Sequence, residues 1–250
     1  QTHEILNHNL PDLADNCYEQ LKRSIGKNEL WVVDNGSDQA ELPYSTTHQL
    51  PENIHLGGAF NVVLEEFKES DHEYLMFLNN DLIFHGFELI PTILEEVKEG
   101  DWALYSPSVI NAGIGQCHWK MMWNWGTKTV RQVPFIDFQS PVMRKDLAKK
   151  IDLFPSELFH YGLDFYASII AKENNLKIGV SDNITFCHLS NETARQGKIT
   201  DHTEMSYPER ANHAMWKYFT NSPLKNSFAL LGKEAEDYGK VELLQKEYSS

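Results

Sequence analysis

The segment Tyr74-Leu75-Met76-Phe77-Leu78-Asn79-Asn80-Asp81 constrains the fold more than any other part of the chain. Its apolar run, Tyr74 to Leu78, reads as a strand buried on both faces, so a sheet must be covered from both sides. The run stops in two amides and a carboxylate, where the chain has to leave the sheet. Ligands of open α/β sheets bind beyond the C-terminal ends of strands, so Asp81 is presented at the mouth of a cleft. A carboxylate flanked by neutral oxygen donors suits a divalent ion that also binds phosphates. The same residues fit a plain Asn/Asp turn.

A second strand has the same ending. Leu30-Trp31-Val32-Val33 runs into Asp34-Asn35-Gly36-Ser37-Asp38, a carboxylate followed by a turn that contains glycine. Asn35-Gly36 also fits a hairpin turn, but no alternating strand follows it. Between the two strands, Gly57-Gly58-Ala59-Phe60-Asn61 opens a helix with Phe60, Val63, Leu64 and Phe67 on one face. Glycines there admit either a simple loop or a close approach of backbone to ligand, and a helix N-terminus favours anions.

The rest of the chain alternates in the same way. Leu13, Cys17, Leu21 and Ile25 mark a helix after Pro11; Phe87, Ile90, Leu94 and Val97 mark another, ended by Gly100; Trp102 to Tyr105 reads as a strand. Alternating strands and helices predict a doubly wound α/β fold with a mostly parallel sheet and helices on both faces. Residues 111–135 break the pattern with glycines and with Trp119, Trp123 and Trp125. Asp164 falls in the first turn of a helix carrying Phe165, Ile169 and Ile170, where the dipole favours its charged form. Ala211, Met215, Trp216 and Phe219 predict one further helix, and Phe228 to Leu244 another. Residues 1–200 are therefore expected to form the main domain. Residues 201–250 are expected to form a helical appendage that packs on it or on a second subunit, so a homo-oligomer through these helices is an open expectation.

Twenty-two basic and 36 acidic side chains leave a net charge of −14, which repels nucleic acid and anionic membranes over most of the surface. No apolar run is long enough to span a bilayer and no signal-peptide pattern is present. Cys17, Cys117 and Cys187 have no CxxC spacing, and such a sparse, odd set points to reduced thiols in the cytoplasm.

The ordered set Ile5-Leu6-Asn7-His8-Asn9, Val32 to Ser37, Gly57 to Asn61, Asn79 to Asp81, and Ile136 to Arg144 resembles the family 2 glycosyltransferases of the GT-A fold. The resemblance covers roughly residues 4 to 190. It implies that Asn9, Asp34, Gly36, Ser37, Gly58, Asn61, Asn79 and Asn80 bind a nucleotide-diphosphate sugar, UDP being the family's commonest nucleotide. It also implies that Asp81, with His188 after the strand-like Ile184-Thr185-Phe186-Cys187, holds Mn²⁺ or Mg²⁺. Asp164 matches the family's general base, which points to inversion by single displacement at the anomeric carbon. Two positions depart from the pattern: Leu163 stands where a glutamate usually precedes the base, and Asn79 where an aspartate is common. Segment 136–144 resembles the acceptor-side strand. There Ser140, with Trp119, Trp123 and Trp125 of the preceding segment, is expected to meet a saccharide or glycoconjugate; the tryptophans equally fit a role as core. Residues 190–203 are expected to form a lid over the donor.

Other classes remain open. A nucleotidyltransferase needs a second acid near Asp81 and a basic triphosphate loop, and the sequence shows neither. Leu163 and Asn79 also fit a catalytically degenerate nucleotide-sugar-binding protein. Within the enzyme class, a modified nucleobase is an alternative acceptor.

Overall fold

The computed structural model describes residues 2–38, 41–85, 88–110, 117, 119–189 and 207–248, with side chains as far as residue 238. The strands are β1 (Thr2–Asn7), β2 (Glu29–Asn35), β3 (His48–Leu50), β4 (Tyr74–Asn79), β5 (Leu82–His85), β6 (Trp102–Val109), β7 (Val130–Gln132), β8 (Val142–Arg144) and β9 (Lys177–His188). The helices are α1 (Pro11–Lys22), α2 (His55–Glu69), α3 (Leu89–Glu99), α4 (Lys145–Ile151), α5 (Leu163–Glu173), α6 (Tyr207–Asn221) and α7 (Lys225–Tyr248). Strand order is β3-β2-β1-β4-β8-β6-β9-β5, with β7 on β9. The pairings make β3, β2, β1, β4, β6 and β9 run one way and β8, β5 and β7 the other.

The predicted α/β layering is present. Tyr74 to Leu78 are all buried, because β4 lies mid-sheet with cover on both faces. The chain steps outward from β1 to β2 through α1 and back across to β4 through α2. Right-handed crossovers in opposite directions put these two helices on opposite faces. Phe60, Val63, Leu64 and Phe67 are buried on α2, with Phe60 stacked on Phe77 of β4 at 4.1 Å. The proposed acceptor-side strand is shorter than its sequence match: only Val142–Arg144 pairs, wedged antiparallel between β4 and β6.

The segment before β8 is not free-standing either. Pro107 in β6 has no N–H to give to the ladder, and the register with β9 jumps there from Pro107–Ser181 to Ser108–Thr185. Residues 182–184 bulge out, and Asp182 turns onto Arg131 of β7, whose Nε and Nη2 donate to its two oxygens at 3.1 and 2.9 Å. Arg131 Nη2 also donates to the carbonyls of Met121 and Trp123, and its guanidinium lies 4.4 Å from the Trp125 ring. One buried ion pair thus fastens the tryptophan segment to the sheet.

The last two helices pack on the same core. Phe219 of α6 and Phe228 of α7 stack at 4.3 Å, and both meet Phe165 of α5. Gly162, at φ +93°, caps α5 where a Cβ would come within 2.8 Å of Met215 Cγ, so only glycine lets α6 lie this close. Among the described residues, no helix is long and apolar enough to cross a membrane.

Candidate active site

Asp81 and His188 meet through strand pairing. β5 leaves β4 at Asp81 and pairs antiparallel with the end of β9, which sets Leu82 opposite His188; Leu189 N–H then donates to the Asp81 carbonyl at 3.0 Å. The side chains converge, with His188 Nε2 3.1 Å from Asp81 Oδ1 and both residues buried. At 3.1 Å the two lie at hydrogen-bonding distance, and a neutral imidazole beside a carboxylate is also a donor set that would suit a divalent cation. Among the described residues no three His, Cys, Asp or Glu side chains form a metal cluster. Asp81 and His188 would hold Mn²⁺ or Mg²⁺ as two protein donors, a set suited to an ion that also binds phosphate.

The turn after β2 is braced from within. Asp34, fully buried, accepts from Asn7 Nδ2 at 3.0 Å, from Ser37 Oγ at 2.5 Å and from Ser37 N–H at 2.9 Å. Ser37 Oγ accepts from Asn9 N–H at 2.7 Å, and Asn9 Oδ1 accepts from Asp38 N–H at 3.0 Å. Asn80 Nδ2 donates to Asn7 Oδ1 at 2.9 Å, tying this turn to the end of β4, while Asn79 N–H donates to the Gln139 carbonyl. Gly36 has φ +66°, and a Cβ there would lie 2.2 Å from the Glu52 carbonyl carbon. Its glycine is therefore required by chain packing, with or without a ligand.

Other predicted binding residues are committed to the fold. Asn61 clamps the backbone of Phe154, donating to its carbonyl at 2.9 Å and accepting from its N–H at 2.8 Å. Gly58 faces Ile54, whose side chain would lie 3.1 Å from a Cβ. Trp123 and Trp125 donate their indole N–H to the carbonyls of Cys117 and Lys120, and Trp119 packs edge-on against Phe135 and Phe165. Ser140 is fully buried, and its hydroxyl has no partner among the described residues. The expected lid, residues 190–203, lies outside the described residues apart from its approach at Leu189.

Asp164 is in the first turn of α5, as its sequence context predicts. The residue as a whole is half-buried, and its Oδ1 accepts from Phe165 N–H at 2.8 Å. Contrary to the charged form expected from the helix dipole, desolvation, with the charge of Asp137 adding to it, outweighs the dipole and pushes its pKa up to about 8. Asp137 was not singled out from the sequence. Its signal was there, an acid set inside the apolar run Phe135-Ile136-Asp137-Phe138. Asp137 Oδ2 accepts from Gln139 Nε2 at 2.9 Å and from the Cys117 thiol at 3.7 Å. Desolvation raises its pKa while nearby His188 pulls it down. Asp137 thus lies within electrostatic reach of both His188 and Asp164. Leu163, where a second acid was missing, is buried in the core.

No family model matches the chain, and no curated protein matches it. Solved structures do. GalNAc-T7 with UDP, GalNAc and Mn²⁺ superposes with a TM-score of 0.59 at 11% identity, over 75% of this chain and 43% of its own. TarS of S. aureus gives 0.52 at 16% identity, over 92% of this chain and 45% of its own. The mannosyltransferase PcManGT from Pyrobaculum calidifontis, in complex with GDP-Man and Mn²⁺, gives 0.54 at 13% identity, over 99% of this chain and 79% of its own. The chain spans less than half the length of the first two. Such low identities define the fold alone, and that fold is the GT-A fold of these glycosyltransferases.

Proposed function

We propose that this chain is a metal-dependent glycosyltransferase that moves a sugar from a nucleoside diphosphate to a hydroxyl of a saccharide or glycoconjugate, with inversion. The observation that carries this reading is the Asp81–His188 pair, its donors 3.1 Å apart at the end of β4 in a GT-A fold. A divalent ion bound there supplies Lewis-acid stabilisation of the departing diphosphate.

The chain's own groups account for the rest. Asp164 accepts the acceptor hydroxyl's proton as that oxygen bonds to the anomeric carbon. The bond from that carbon to the diphosphate oxygen breaks, and its electron pair leaves with the nucleotide. A base whose pKa is about 8 is well matched to a hydroxyl near neutral pH. Asp137 supports this role, because its negative charge raises the proton affinity of Asp164. The internal bracing of Asp34, Ser37 and Asn9 presets the turn that a nucleotide would meet, lowering the entropy lost on binding. With UDP the expected nucleotide, the turn's backbone groups and Asn80 are the contacts we assign to the donor.

The test is thermal denaturation with UDP, GDP, dTDP and CDP, each with and without Mn²⁺, on wild type and Asp81→Ala. One nucleotide at a hundredfold excess over its Kd should stabilise by about 2.7 kcal/mol, only with metal and not in the variant. If none of the four stabilises the wild type, the reading is wrong. A product with retained anomeric configuration would instead rule out the single displacement.

A further inference from the structure

The three tryptophans expected at the acceptor site are turned to internal partners, yet another aromatic group stands open beside Asp164. The loop before α5 carries Phe159, His160 and Tyr161 and rests on the start of α2, where Gly57 N–H donates to the Phe159 carbonyl at 2.9 Å. His55, the first residue of α2, is exposed at φ +63° and places its ring 5.2 Å from Phe159. α6 arrives from the far end of the chain, seated on Gly162, and its first residue, Tyr207, enters this group. The Tyr207 ring lies 5.7 Å from His55, 5.8 Å from Phe159 and 5.0 Å from His160, and its hydroxyl is 3.3 Å from His55 Nδ1. His160 in turn meets Tyr161 edge-on at 4.6 Å.

Four of these five rings are half-buried and His55 is exposed, so the group is assembled but not sealed into the core. Of the five, only Tyr161 packs against the hydrophobic core. Its chemistry is that of a sugar platform: ring faces for the apolar side of a pyranose, with phenol and imidazole tips to meet hydroxyls. His55 borders the turn after β2, its carbonyl accepting from Asn35 Nδ2 at 3.2 Å, while the other rings belong to the loop that leads to Asp164 and to α6. Phe159 to Tyr161 lead directly into the turn that carries Asp164, the group assigned to take the acceptor's proton, and Tyr161 is close enough to Asp137 to feel its charge.

We propose that His55, Phe159, His160, Tyr161 and Tyr207 form the acceptor-sugar subsite, so that α6 completes the active site. This rests on the glycosyltransferase reading above. The experiment uses the full chain with Mn²⁺ and the nucleotide that stabilises it, and compares wild type, Phe159→Leu, Tyr207→Ala and Tyr207→Phe. Retention on an array of immobilised saccharides and calorimetric nucleotide affinity are measured on the same preparations. Wild type should hold a defined set of saccharides. Tyr207→Ala and Phe159→Leu should weaken that binding by about tenfold, the loss expected for one aromatic contact, while Tyr207→Phe largely keeps it and nucleotide affinity stays unchanged in all three. Retention unmoved by Tyr207→Ala and Phe159→Leu, or no retention by wild type, overturns the subsite. A tenfold loss of nucleotide-sugar affinity with saccharide retention intact also overturns it, by assigning the group to the donor. Absence of nucleotide binding by wild type marks failure of the glycosyltransferase reading instead, which this pair of measurements keeps distinct.

Discussion

Replacing Arg131 by methionine tests the account of how the tryptophan segment is held. The side chain is 8% exposed and Asp182 opposite it is fully buried, so the ion pair is hidden from water on both sides. Methionine keeps much of the stem's packing but removes two donations to Asp182, two to the Met121 and Trp123 carbonyls, one to the Tyr238 hydroxyl, and the stacking on Trp125. Asp182 is left with Thr127, whose hydroxyl and N–H donate at 2.8 and 3.1 Å, so it is poorly compensated but not bare. Removing one partner of a buried pair costs about 3–5 kcal/mol. At about 2–4 °C per kcal/mol for a chain of this size, Tm should fall by about 10 °C. Urea denaturation followed by tryptophan fluorescence gives the free energy directly. The double variant Arg131→Met with Asp182→Leu should regain much of the loss, because an apolar pair carries no stranded charge. A loss below about 1 kcal/mol for Arg131→Met, against the range expected for a buried pair, would refute the claim that this pair fastens the segment.

Three further outcomes follow from the site and from β1. Asp164→Asn should lower kcat by about 10²- to 10⁴-fold while nucleotide binding with Mn²⁺ is kept; full activity in this variant would remove Asp164 from the reaction. Since Asp164 works only when ionised, kcat/KM should rise with pH through an acid limb, and Asp137→Asn should move that limb to lower pH by removing the neighbouring negative charge; a limb that stays put would show that the two carboxylates do not interact. Glu4 is fully buried in β1, neither of its oxygens has a partner among the described residues, and burial, with Glu66 adding, raises its pKa. A raised folded pKa gives stability that is present in acid, below the unfolded value, and lost as pH rises. Glu4→Gln should therefore stabilise the protein at pH 8 by about 1–3 kcal/mol, with a gain that shrinks toward pH 4.5, checked by denaturant titration at several pH values.

Local sequence accounts for the elements whose signals are local. Tyr74 to Leu78 reads as a strand covered on both faces from its short length and its polar ending, the four-residue spacing behind Pro11 as a helix, and Asp164 as an acid in a first helical turn; these depend on local pattern. The order of short motifs also pointed to the GT-A fold. Pairing was not legible. β8 keeps only three residues of its longer sequence match because β6 pairs with it only at Val142 and Met143, while β4 goes on bonding to the carbonyls of Pro141 and Gln139 outside the strand. The indole N–H groups of Trp123 and Trp125 are taken by carbonyls inside their own segment, which Arg131 ties to Asp182 in the bulge beside Pro107.

The sequence by itself determined which residue types stand at the ends of β2, β4 and β9 and at the start of α5, since each follows from where an apolar period stops. Tertiary structure decided which of them meet. Antiparallel pairing of β5 with β9 brings His188 to Asp81, and packing of the 135–139 segment brings Asp137 to Asp164. A helix from the far end of the chain brings Tyr207 to His55. Such contacts arise from strand register and helix docking between residues distant along the chain, and no local pattern of side chains encodes them.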